Sequence, residues 1–167
     1  MGFLVLVLVG YAFIQERIIS TGTEVILATV PVDPRDLFRG EYVILRYEIE
    51  THPLVRSAIE RDASLVNGST LYVRLSVDAR NIATVAEVQK VRPDLSRGLW
   101  LRGQVDNRGV RFPHLEQYFV PEGAGIPIER LGRDVYVKVR VLSGEARVTG
   151  LLDRDLNDID VYMYRER

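Results

Sequence analysis

The stretch of the chain with the most chemical potential is a run of charged residues at positions 33–41. Five charged side chains fall within nine positions: Asp33, Arg35, Asp36, Arg39 and Glu41. Such a density of charge is unfavourable unless the groups are ion-paired or solvated. The run therefore indicates either a solvated loop or the polar lining of a cleft, where carboxylates could serve a hydrolase.

The charged run leads directly into the octapeptide GEYVILRY at positions 40–47. Gly40 suits a loop-to-strand junction, where a positive φ or a close backbone approach is expected. Glu41 can accept hydrogen bonds from loop N–H groups. Strand alternation places Tyr42 on one face and both Leu45 and Tyr47 on the other. We interpret this segment as structural, and the competing interpretation makes the whole set from 33 to 47 a binding site.

Other kinds of catalytic site find little support in the sequence. The absence of cysteine excludes thiolate chemistry, and two histidines, His52 and His114, are too few for a multi-histidine metal site. Both histidines lie beside prolines, which indicates turn or surface roles. A serine–lysine pair needs a buried lysine, whereas Lys90 and Lys138 are expected to be solvated. We expect no catalytic residue, no metal and no cofactor, although enzymatic activity is not excluded.

The charge balance bears on the kind of partner. The 22 Lys and Arg residues and the 23 Asp and Glu residues give a net charge of −1. Nucleic-acid-binding proteins normally carry a strongly basic face. We therefore expect no nucleic-acid partner.

The N-terminal segment is the most apolar part of the chain. Residues 2–14 carry no charge, and we predict a transmembrane anchor at 1–19 followed by a β-rich domain at 20–167. A secretory signal peptide and a buried core element are the alternatives; the former lacks a basic region and a good cleavage site. The usual single-pass arrangement would place the domain outside the cytoplasm, in the periplasm or at the cell surface, although Arg17 beside Glu16 does not fix the orientation.

The remainder of the chain is dominated by two-residue alternation of apolar and polar side chains. Alternating or β-branched segments predict strands at 23–30, 41–49, 71–77, 82–91, 99–105, 110–112, 117–120, 135–141 and 146–151. Short helices are predicted at 53–63, where an ordered loop is the alternative, and at 126–131. About nine short strands at this spacing favour an all-β, mostly antiparallel fold, either a small barrel or a sandwich.

The octapeptide and its surroundings resemble the GDYXXLXY family, a group of bacterial membrane-anchored proteins. GEYVILRY differs from the family signature by Glu41 in place of Asp, which keeps the charge. The lead-in at 30–39 and the segment YFVPEGAG at 118–125 are also similar to family members, and the resemblance covers residues 20–151. It implies an extracytoplasmic domain with a multi-spanning membrane protein as its partner, and it implies no established activity.

These observations predict a non-catalytic, membrane-anchored accessory domain. The alternative is a hydrolase that uses the carboxylates of the 33–41 loop.

Overall fold

The computed structural model describes residues 2–30, 42–120 and 135–161. Its helices are α1 (Gly2–Thr21) and α2 (Pro53–Arg61), and a 3-10 turn spans Glu48–Thr51. Nine strands lie in the described residues: β1 (Thr23–Ala28), β2 (Tyr42–Ile44), β3 (Thr70–Val77), β4 (Ile82–Gln89), β5 (Leu99–Asp106), β6 (Gly109–Arg111), β7 (Gln117–Phe119), β8 (Tyr136–Leu142) and β9 (Glu145–Leu152). The predicted number of strands is confirmed.

Seven of these strands form one sheet in the order β6-β5-β3-β4-β1-β8-β9, and β2 pairs with β7 in a small second sheet. All strand pairs are antiparallel except β1 with β4. The large sheet curls, which brings β5 close to the turn between β8 and β9. There the amide of Arg102 donates to the carbonyl of Gly144 at 2.8 Å. The fold is mostly β, as predicted, but its form is a curled mixed half-barrel.

The interior of the curl holds the hydrophobic core. Alternate positions of the strands point inward, and these residues are largely β-branched, which suits a pleated surface. The buried side chains include Val25 and Leu27 of β1, Leu71, Val73 and Leu75 of β3, and Val137, Val139 and Val141 of β8. The alternation seen in the sequence is therefore the burial pattern of the sheet.

The hairpin between β8 and β9 follows from its turn residues. Leu142 pairs with Glu145, so the loop consists of Ser143 and Gly144 alone. Their φ angles are 51° and 89°. Two positive φ angles are the requirement of a type I′ turn, whose twist matches that of the flanking strands. The predicted two-residue turn is confirmed.

One predicted element differs in the structure and another is confirmed. The strand expected at 41–49 is shorter, because β2 ends at Ile44 and the chain turns at Glu48–Thr51. The helix predicted at 53–63 is confirmed: α2 begins with Pro53, and the Nδ1 atom of His52 accepts a hydrogen bond from the amide of Leu54 at 3.3 Å. The helix predicted at 126–131 lies outside the described residues.

Helix α1 projects an apolar surface from the domain. Only its last turns contact the sheet, where Ile18 is buried. Within the part of the chain that the structure describes, no helix combines the length and the apolar character needed to cross a membrane. The membrane-spanning anchor at 1–19 stays a prediction.

Candidate functional site

The structure describes only part of the candidate site predicted from the sequence. Tyr42, Leu45 and Tyr47 lie within it, and Leu45 and Tyr47 are buried. The other six candidates fall outside the described residues: Asp33, Arg35, Asp36, Arg39, Gly40 and Glu41. The hypotheses of a polar cleft and of a Glu41 carboxylate that fastens the loop therefore stay predictions.

The motif segment at 42–47 runs between two other parts of the chain. On one side Tyr42 pairs with Phe119 of β7, and the amide of Leu45 donates to the carbonyl of Glu116 at 2.8 Å. On the other side the amide of Val30 donates to the carbonyl of Arg46 at 2.9 Å. The segment thus joins the small sheet to the end of β1.

Buried and more exposed side chains alternate along this segment with the two-residue period of a strand, even beyond the end of β2 at Ile44. Val43, Leu45, Tyr47 and Ile49 are buried, whereas Ile44 and Arg46 are half-buried and Glu48 is exposed. The prediction that Leu45 and Tyr47 share one face is confirmed, and Val43 and Ile49 lie on the same inward face. The motif therefore contributes a row of apolar side chains to the core.

Among the described residues of the motif, Tyr47 is the most deeply buried. Its side chain is fully buried, and its hydroxyl donates to the carbonyl of Leu115 at 2.7 Å. Burial raises the pKa of Tyr47 well above its usual value, and the nearby carboxyls of Glu50 and Glu116 raise it further. The phenol therefore stays protonated and acts as a fixed hydrogen-bond donor.

Sequence reasoning missed Glu50, which lies three residues after Tyr47. It is 6% exposed, the one charged residue classed as buried among the described residues. Strict alternation would place Glu50 on the same outer face as Glu48. The 3-10 turn changes the period, so that Ile49 and Glu50 are both buried. No residue in the sequence marks that turn, and no local signal could have identified Glu50.

Glu50 has weak partners for a buried carboxyl. An Nη1 atom of Arg46 lies 3.7 Å from its Oε2, and its Oε1 has no hydrogen-bond partner among the described residues. Burial raises the pKa of Glu50 to about 7; Arg46 and a hydrogen bond with the backbone of Tyr47 oppose that shift, while Glu116 and Asp106 add to it. A carboxyl with such a pKa can hold or release a proton near neutral pH.

Glu116 approaches the same region from the segment before β7. Its Oε1 atom is also buried without a hydrogen bond, although the Nε atom of Arg111 lies 3.5 Å away. The two carboxyls lie close enough for the negative charge of Glu116 to raise the pKa of Glu50. Within residues 2–30, 42–120 and 135–161, no group of three potential ligands could hold a metal ion.

A serine, a lysine and an aspartate meet at the surface near the end of β4. Lys90 Nζ donates to the Oγ of Ser64 and, at 3.2 Å, to Asp62 Oδ2. The hydrogen bonds from Ser64 are the main reason that the pKa of Asp62 falls to about 2, and Lys90 lowers it further. A catalytic serine–lysine pair needs a buried lysine, whereas the side chain of Lys90 is half exposed. This arrangement is an ion-paired surface cluster.

A shallow pocket of about 10 Å³ lies between the β8–β9 hairpin and the segment before β7. Glu145 dominates its polar groups: Arg102 contacts it at 2.6 Å, and the Nε2 atom of His114 lies 3.9 Å away. Burial lowers the pKa of His114, and the charges of Arg147 and Arg102 lower it further. The volume suits about one water molecule.

Comparison with known proteins gives a family and no closer relative. The search of curated proteins and the search of solved structures each found no match. A family model described as GDYXXLXY protein matches residues 4–151, which is most of the chain. The resemblance of the octapeptide at 40–47 thus extends over both the apolar helix and the sheet, and the chain belongs to the GDYXXLXY family.

Proposed function

We propose that this chain is a non-catalytic accessory domain, anchored in lipid through α1, with its β-rich part outside the cytoplasm. One observation supports the proposed anchoring: the exposed apolar surface of α1. Exposure is 74% for Leu6, 60% for Leu8 and 67% for Phe13, and Val5, Val7, Val9 and Tyr11 are each at least half exposed. Because consecutive residues point in different directions around a helix, α1 is apolar on all sides along residues 5–13. Such a helix is normally surrounded by protein or by lipid.

The attachment of α1 to the domain supports this proposal. The helix ends at Thr21 and β1 begins at Thr23, so Gly22 alone separates them. Ile18 is buried against the domain, and the Nε atom of Arg147 on β9 donates to the Oε1 of Gln15. Polar contacts therefore begin where the apolar surface ends, as expected of a helix that leaves lipid at that level.

The proposed partner is a multi-spanning membrane protein of a bacterial cell. The family resemblance is the source of this part of the proposal. An apolar helix can present one side to a partner helix and its other sides to lipid, where packing and interhelical hydrogen bonds drive association. The hydrolase alternative has no support from the described residues, since its loop lies outside them.

Carbonate extraction of membranes from the native host tests the anchor. We expect the wild-type protein to stay in the membrane fraction, and Leu6→Arg combined with Leu8→Arg to release it, since each arginine opposes insertion by about 2.5–3.5 kcal/mol. Leu54→Arg is the matched control, because Leu54 is also exposed but lies on α2. Complete release of the wild-type protein would contradict the proposal.

Site-specific crosslinking tests the partner. A photoreactive residue at Phe13 should give a crosslinked species that resists carbonate extraction, whereas the same residue at Leu54 should give none. Mass spectrometry of that species should identify a protein with several apolar spans. If crosslinks form only to lipid, the protein is anchored without a helix-packed partner.

A further inference from the structure

The buried carboxyl of Glu50 is not explained by the proposed function. A buried charge normally has an ion-pair partner and hydrogen bonds for its remaining lone pairs. Here Arg46 lies 3.7 Å away, beyond hydrogen-bond distance, and Oε1 lacks a hydrogen-bond partner among the described residues. A hydrogen bond with the backbone of Tyr47 opposes the effect of burial only in part, since the pKa of Glu50 is still raised. A proton on Glu50 would remove the charge and with it the cost of burying that charge.

Several charged groups face Glu50 from the elements packed around it. Glu116 approaches from the segment before β7 and Asp106 from the end of β5, and both raise the pKa of Glu50 through their negative charge. Arg46 from the motif segment opposes them, and Arg111 of β6 lies 3.5 Å from Glu116. When all three carboxyls are ionised they outnumber the two guanidinium groups.

The backbone around Glu50 is connected to the motif segment. The amide of Glu50 donates to the carbonyl of Tyr47 at 3.1 Å, and the amide of Leu45 donates to the carbonyl of Glu116. Gly109 of β6 packs so closely that a Cβ atom there would lie 2.2 Å from the Glu50 carbonyl oxygen. We therefore expect a change in the charge of the Glu50–Glu116 pair to alter the packing of the segment from Tyr42 to Tyr47.

We propose that the Glu50–Glu116 pair is a proton-operated latch, in which one proton taken up by Glu50 tightens the 3-10 turn against β6 and so fixes the motif segment. No bond other than that to the proton forms or breaks. The latch is independent of membrane anchoring, because every group in it belongs to the domain.

The direction of the pH dependence follows from the pKa of Glu50. Its pKa is about 7 in the folded protein and 4.5 as its ordinary value, so the folded state binds the proton more tightly than the unfolded state. The stabilisation is complete below pH 4.5 and is lost as the pH rises through about 7. The latch is therefore closed under mildly acidic conditions and open above neutrality.

Thermal unfolding of the full chain in neutral detergent tests the latch, with the fluorescence of the single tryptophan, Trp100, as readout. Glu50→Gln should melt close to the wild type at pH 5, because Gln imitates the protonated carboxyl. At pH 8 it should melt higher by roughly 5 °C or more. Glu48→Gln in the same turn is the control, because Glu48 is exposed. The difference between its melting temperature and that of the wild type should not change with pH.

Two results would overturn the latch. One is a difference in melting temperature between Glu50→Gln and the wild type that stays constant from pH 5 to pH 8. The other comes from the wild type alone, which keeps the test valid if the variant does not fold. Hydrogen exchange at residues 43–51, corrected for intrinsic rates, should lose protection between pH 5.5 and pH 8 relative to residues 136–152. Equal changes in the two regions would exclude the latch.

Discussion

At the scale of single residues, the hydroxyl of Tyr47 decides how substitutions of the motif behave. Tyr47→Phe keeps the ring but leaves the buried carbonyl of Leu115 without its hydrogen-bond donor. An unpaired buried acceptor costs about 1–3 kcal/mol. Tyr47→Ala also removes the ring from the core and should cost about 3–5 kcal/mol. Urea unfolding followed by Trp100 fluorescence measures both changes.

Tyr136→Phe is the matched control for the loss of a hydroxyl. Tyr136 is half-buried at the start of β8, so its substitution should change the free energy of unfolding by less than about 0.5 kcal/mol. A binding role for the motif predicts a different result, in which Tyr47→Ala keeps its stability and loses its partner. Unchanged stability of Tyr47→Ala would rule out the structural role.

At the scale of elements, Gly22 allows close packing at the junction between α1 and β1. A Cβ atom at Gly22 would lie 2.4 Å from the carbonyl oxygen of Ile18 and 3.2 Å from the amide of Val141. Both neighbours are backbone atoms, so Gly22→Ala forces the helix and the sheet apart. We expect a loss of about 1–3 kcal/mol of stability, as for other overpacked sites. Thermal unfolding of the full chain in detergent measures this loss.

Gly10 in the middle of α1 provides the contrast. A Cβ atom there would meet nothing within 4 Å. Gly10→Ala should therefore be neutral or should raise stability by up to about 1 kcal/mol, because alanine has the higher helix propensity. Similar losses from Gly22→Ala and Gly10→Ala would show that the junction is not the sensitive point.

At the scale of the whole molecule, the last turns of α1 belong to the folded domain. A chain that begins at Gln15 keeps Ile18, which is 2% exposed, whereas a chain that begins at Ser20 loses it. Burial of an isoleucine side chain contributes about 1.5–3 kcal/mol. The chain from Gln15 should therefore be more stable than the chain from Ser20 by about that amount in urea unfolding.

Substitutions of two neighbouring isoleucines distinguish the effect of side-chain burial on stability from the effect of helix length. In the chain that begins at Gln15, Ile18→Ala should cost about 2–4 kcal/mol, because Ile18 is buried. Ile19 is 44% exposed, and Ile19→Ala should change stability by less than about 0.5 kcal/mol. If both variants lose the same stability, helix propensity rather than packing explains the difference.

Alternation in the sequence was sufficient to predict most strands, their number and the inward face of the motif. The reason is that the side-chain period of a strand is a local property: Val137, Val139 and Val141 share a face wherever the strand lies. Turn chemistry is equally local, and the positive φ angles of Ser143 and Gly144 define their hairpin. The apolar character of residues 2–14 is likewise visible in the sequence alone.

Only the tertiary structure decided which elements meet. The parallel pairing of β1 with β4 and the contact of β5 with the β8–β9 turn involve residues distant in the sequence. The same is true of Glu50, whose burial beside Glu116 depends on a 3-10 turn and on the close approach of Gly109. Local periodicity carries no information on such long-range packing. For that reason the charged loop is evident in the sequence, whereas the buried carboxyl of Glu50 beside the half-buried Glu116 is evident only in the fold.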